Sequence, residues 1–64
     1  MFFVYKGTVY YSYRKFCIDN HVRYSASRYA LKSFYKVKTK LQVNTLLLSQ
    51  PDILDTIIDR YGDK

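Results

Sequence analysis

Tryptophan and glutamate are absent from this chain, which has a single cysteine, a single histidine, one proline and two glycines among its 64 residues. A lone Cys17 cannot close an intramolecular disulfide, and Cys17 with His21 falls short of the four Cys and His ligands of a structural zinc site. Folds stapled by bridges or by zinc are excluded, and a reducing compartment is the natural setting. Gly7 and Gly62 cannot make a glycine-rich phosphate loop. All the acids are Asp: Asp19 falls in a turn and the others gather beyond Pro51 on the outside of a helix, so no pair is placed for acid–base catalysis. His21 has no Ser, Cys or carboxylate at a spacing that forms a dyad or triad, and reads as a turn residue. Cys17, with only Arg14 and Lys15 nearby to lower its pKa, reads as a small buried hydrophobe. The expectation is a protein that is not an enzyme and uses no cofactor or metal.

Long apolar runs are missing too. None approaches the ~20 residues that span a bilayer, and the opening Met-Phe-Phe-Val-Tyr lacks the positive flank and long apolar centre of a secretory signal. A soluble, cytoplasmic protein is expected. A membrane-surface helix is disfavoured because the basic segment described below interposes Tyr29 and Tyr35 with no bulky aliphatic face.

What the chain has in excess is positive charge and tyrosine. Its formal net charge is +6, divided unevenly: residues 1–44 carry nine Lys or Arg against one Asp, and residues 45–64 carry two against four. Of eight tyrosines and four phenylalanines, eleven lie in the first 35 residues. A basic, aromatic-rich body with a mildly acidic end suits a polyanion binder with a separate structural or partner-binding terminus. So short a chain is near the lower limit for folding on its own core, and one small domain over residues 1–64 is expected, with a partner surface helping to complete it.

Residues 1–6 (MFFVYK) form a short aromatic and β-branched run stopped by Gly7, which predicts a strand or extended arm, with Thr8 as an N-cap after it. Residues 9–20 (VYYSYRKFCIDN) fit two periods. A helix gathers Val9, Tyr13, Phe16 and Cys17 but leaves Tyr11 and Ile18 opposite; a strand puts Tyr11, Tyr13 and Cys17 on one side. Helix is preferred, and Asp19-Asn20-His21 is then a turn. Ser25 and Ser27 are alternative N-caps for the next helix.

Residues 28–41 (RYALKSFYKVKTKL) separate at 100° per residue into two stripes. Ala30, Phe34, Val37 and Leu41 share a narrow arc, and Arg28, Lys32, Lys36 and Lys40 follow one another every fourth residue on the far side. Like charges at that spacing disfavour an isolated helix by about 0.2–0.5 kcal/mol per pair, a repulsion that an anionic partner relieves. Where this helix ends is open, because residues 36–45 also alternate strictly, and their β-branched content favours a strand from about Lys38, with Lys38, Lys40, Gln42 and Asn44 outward. The last element is a helix: Ser49 caps it, Pro51 opens it, and Asp52 and Asp55 suit its N-terminal dipole. Ile53, Leu54, Ile57, Ile58 and Tyr61 form its apolar stripe, each worth about 1.5–3 kcal/mol when buried, before ordering entropy, and Gly62 supplies a left-handed stop.

Residues 9–20 followed by 24–37 (YSASRYALKSFYKV) resemble the helix-turn-helix region near the C-terminus of virus and phage primase-helicases of the D5 type. In that family an aromatic-rich helix ends in an aromatic-Cys pair, as Phe16-Cys17 does here, before a polar turn and a Ser-started recognition helix. This chain departs from the pattern in having no glycine in the turn or the wing. The resemblance implies a winged or simple helix-turn-helix fold, a virus, phage or mobile-element source, and DNA binding by the helix from Ser27.

The fold expected is therefore a small α+β domain with a helix-turn-helix-like centre, a short N-terminal strand and a C-terminal amphipathic helix. The function expected is nucleic-acid binding, DNA ahead of RNA, through phosphates. Arg28, Lys32, Lys36, Lys38 and Lys40 carry it, extended by Arg14, Lys15 and Arg23, and Tyr24, Tyr29 and Tyr35 interleave to stack on bases or bond phosphates. Five or six such contacts give a salt slope near −5. Asn and Gln are absent from the proposed helix, so modest sequence specificity is expected. The rival expectation is an accessory or inhibitor protein that docks on a host protein or ribonucleoprotein assembly. Its surface would be Tyr11, Ile18 and the stripe Ile53, Leu54, Ile57, Ile58 and Tyr61, which also offers a homodimer contact.

Overall fold

Residues 2–62 are described by a computed structural model of the chain. Met1, Asp63 and Lys64, which the sequence reading counted in the N-terminal run and in the C-terminal charge, lie outside the described residues.

Phe3–Tyr5 (β1) and Thr8–Tyr10 (β2) form an antiparallel hairpin in the register Phe3↔Tyr10, Val4↔Val9 and Tyr5↔Thr8. The two-residue connection Lys6-Gly7 is left-handed throughout, with φ of 48° and 80°, the mirror-image turn whose twist suits a hairpin. Thr8 is therefore a strand residue and not an N-cap, and Val9 is exposed on β2 instead of facing the core from a helix.

The helix expected over residues 9–20 begins only at Tyr13. Tyr13–Asp19 (α1) buries Tyr13, Phe16 and Cys17, and ends where Asn20 bonds the Phe16 carbonyl through both its side chain and its backbone. Phe16, fully buried, is the hub of an aromatic cluster: Phe3, Tyr5 and Tyr10 from the hairpin meet it edge-on, with centroids 5.4–5.8 Å away, and Tyr13 stacks at 5.9 Å. Such pairs contribute about 0.5–1.5 kcal/mol each beyond area burial, so much of the aromatic load serves the core.

His21, at φ 56°, reverses the chain into Tyr24–Phe34 (α2). Neither Ser25 nor Ser27 caps this helix. Its N-cap is Arg23, and Ser27 is fully buried inside it, accepting from the Tyr13 hydroxyl at 2.7 Å and donating to the Tyr24 carbonyl at 3.1 Å. The long basic helix does not form: α2 stops at Phe34, Lys36 is left-handed at φ 60°, and the Val37 N–H returns to the Leu31 carbonyl while its side chain is buried. Burying Val37 at the helix end breaks the run.

The strand expected from Lys38 is a helix, Lys40–Ser49 (α3). Thr39 and Gln42 make a capping box, the Gln42 N–H reaching Thr39 Oγ1 at 3.1 Å and the Thr39 N–H reaching Gln42 Oε1 at 3.2 Å. Two more donors satisfied locally outweigh the β-branched preference. Val43, Asn44 and Leu47 face inward, so Asn44 is not on an outer face, and Leu41, expected in the apolar arc, is 58% exposed. The segment after α2 that would carry a wing is thus helical.

Asp52–Tyr61 (α4) follows the expectation for its stripe: Ile53, Leu54 and Ile57 are buried, and Ile58 and Tyr61 pack against the same core. Its N-cap is Pro51, while Ser49 bonds the Thr45 carbonyl. Gly62 is extended, not left-handed, and forms a single antiparallel bridge to Val22; a Cβ there would collide with the Ile58 carbonyl. The fold is a small α+β domain with one core drawing on the hairpin and all four helices. Among the described residues no helix is long and apolar enough to cross a membrane.

Candidate nucleic-acid interface

Breaking the basic row redistributes its charges. Arg14 in the first turn of α1, Arg28 in the second turn of α2 and Lys40 at the first position of α3 line one cleft of about 240 Å³. Tyr13, Val43 and Asn44 close it from the core side, and Tyr11 and Tyr24 stand at its edge. Among the described residues no carboxylate lines it. Arg28 is half-buried and its guanidinium donates to the Lys38 carbonyl at 3.5 Å, tying the approach to α3 against α2.

The charges oppose the local backbone. A helix N-terminus carries about half a positive charge and is stabilised by acids, yet none of α1, α2 and α3 has an acid in its first turn, and α1 and α3 have a cation there. Neither α1 nor α2 has a side-chain N-cap. Three helix starts without acids and three cationic side chains therefore border the same cleft. Only α4 follows the usual rule, with Asp52 and Asp55 in its first turn.

Of the other expected site residues, Lys32 follows Arg28 by one turn on α2 and is exposed, and Lys38 is held near Arg28 by the bond just described. Lys36 sits beyond the end of α2 in its left-handed turn, so the row Arg28, Lys32, Lys36, Lys40 does not share a helix face. Lys15 is paired with Asp19 at 3.1 Å. Arg23 reaches the Arg60 carbonyl at the C-terminal end of α4 at 3.4 Å, outside the cleft. Tyr29, 71% exposed, lies on the side of α2 away from buried Leu31. The stripe assigned to a partner, Ile53, Leu54, Ile57, Ile58 and Tyr61, packs on the chain's own core.

Sequence reasoning missed Tyr11 as an edge residue of the cleft and Asn44 as its support. Asn44 donates from Nδ2 to the Tyr11 carbonyl at 3.3 Å, anchoring the backbone between β2 and α1. Behind the cleft, burial pushes the Tyr13 hydroxyl well above the usual tyrosine range, and burial likewise raises the Cys17 thiol. Both hold their protons at neutral pH, which suits packing and not nucleophilic chemistry. A second groove of about 290 Å³ runs between α2 and α4, with Phe34, 73% exposed, beside it. Among the described residues no group of three or more His, Cys, Asp or Glu is placed to hold a metal ion. No family model, curated protein or solved structure matches this chain.

Proposed function

We propose that this chain is a small nucleic-acid-binding protein that takes phosphates in the cleft between α1, α2 and α3. The observation that carries the reading is the convergence of Arg14, Arg28 and Lys40, from three separate helices, on a recess that no carboxylate among the described residues lines. Cations set against the dipoles of helix N-termini cost folding free energy, and an anionic ligand returns it. The succession of α1, a four-residue connection and α2 is compatible with the helix-turn-helix arrangement expected from the sequence, which favours DNA over RNA.

Titration of a labelled mixed-sequence oligonucleotide by fluorescence anisotropy tests this. Three phosphate contacts give a slope of log K on log salt of roughly −2 to −3, shallower than the −5 of a continuous basic row. Arg28→Ala with Lys40→Ala should weaken binding and flatten that slope by about 1.5. Binding that is insensitive to both salt and these substitutions refutes the reading.

The rival, docking on a protein or a ribonucleoprotein, keeps some support from exposed Tyr11, Ile18 and Phe34, although it has lost the α4 stripe. A stoichiometric protein partner retained at high salt, with no oligonucleotide bound at low salt, would favour it.

A further inference from the structure

We infer that the cleft selects unpaired nucleic acid, stacking a base on the ring of Tyr11 while the neighbouring phosphates meet Arg14, Arg28 and Lys40. This rests on the nucleic-acid reading above and narrows it to a class of ligand.

The first ground is shape. Duplex DNA is read by an element that protrudes into a groove, and the outward side of α2, opposite buried Ser27, Ala30 and Leu31, presents Ser25 and Tyr29 with a single cation, Lys32. Arg14, Arg28 and Lys40 line a recess instead. A single strand can turn its backbone into such a recess, whereas a duplex, stiff over about 150 base pairs, must be deformed to do so.

The second ground is the aromatic edge. Tyr11 is 74% exposed, its ring meeting the Phe2 ring at 6.2 Å, and this large apolar face is left in water beside three cations. Its backbone is held by the buried side chain of Asn44, so the ring is presented from a fixed point. Across the cleft Tyr24 is backed by Tyr13 at 5.9 Å. Bases within a duplex already cover one another's faces; an unpaired base offers a free one. Stacking is tolerant of sequence because every base has such a face, which agrees with the lack of Asn and Gln along α2.

Three probes of equal length separate the terms: an oligothymidylate of about ten nucleotides, its abasic counterpart, and a duplex. The oligothymidylate should bind most tightly. Tyr11→Ala should weaken it about five- to a hundredfold while leaving the abasic strand and the duplex unchanged. Tyr11→Trp should retain affinity and, as the sole tryptophan in the chain, should lose fluorescence when the oligothymidylate binds. Equal affinity for abasic strand and oligothymidylate, or an indole that does not respond to bound strand, overturns the inference and leaves phosphate binding standing. Failure of all three probes to bind at low salt overturns both.

Discussion

Replacing Arg14 and Lys40 together by Glu should make the protein more stable and a poorer binder. Both positions lie in the first turn of a helix, where a cation is unfavourable and an anion favourable by about 0.3–1 kcal/mol each. Reversal at one site is therefore worth about 0.6–2 kcal/mol. The lower half of that range applies, since α1 has only seven residues and α3 is already closed by its capping box. Relief of repulsion with Arg28 acts in the same direction. A gain of about 1–2.5 kcal/mol for the pair raises Tm by roughly 5–20 °C in a domain of this size. Thermal unfolding followed by circular dichroism at low salt measures it. The gain should fade at 1 M salt, where the Debye length shrinks to about 3 Å. Oligonucleotide binding should collapse in the same variant. A double variant that is less stable than the parent at low salt, or whose gain does not depend on salt, refutes the claim that these two side chains oppose the dipoles.

Ser27→Ala should cost about 1–3 kcal/mol, because it strips the buried Tyr13 hydroxyl of its 2.7 Å acceptor, whereas Tyr13→Phe leaves Ser27 bonded to the Tyr24 carbonyl and costs about 0.5–1.5 kcal/mol. Urea unfolding of the double variant should show non-additivity, costing little more than Ser27→Ala alone; a simple sum would show that the two groups do not interact. Stability should fall at alkaline pH. Tyr13 and Cys17 are neutral when protonated and their pKa values are raised in the fold, so their contribution is intact below about pH 8 and is lost as pH climbs and the unfolded chain releases its protons first, the thiol before the phenol. Tyr13→Phe should flatten that decline between pH about 9 and 11, measured by urea midpoints. His21→Gly should add about 0.5–1 kcal/mol by removing a Cβ from a left-handed, exposed position; an unchanged or lower Tm would place the turn in another conformation.

The helix α4 was legible because a period of 3.6, a proline at its start and two acids in its first turn all point the same way. Residues 36–45 misled because two patterns coexist there. Strict alternation with β-branched residues signals a strand, while Thr39 and Gln42 three apart signal a helix start, and the capping box prevails because it satisfies backbone donors that nothing else would. The stripe over residues 28–41 was a true regularity of spacing on a chain that does not stay helical long enough to express it. Lys36, in the left-handed region without being glycine, marks the break, and no residue type there announces it.

The cleft itself could not be read from spacing, since Arg14, Arg28 and Lys40 come from three helices and meet only through tertiary packing. What could be read is an asymmetry in where the acids go. The chain puts Asp52 and Asp55 at the start of α4, where they favour the helix, and withholds acids from the starts of α1, α2 and α3, which border the recess. A merely solvated basic surface has no reason to forgo stabilisation at three helix starts while accepting it at the fourth. The anion-binding recess proposed above would, because a carboxylate in any of those turns would compete with an anionic ligand for the cations.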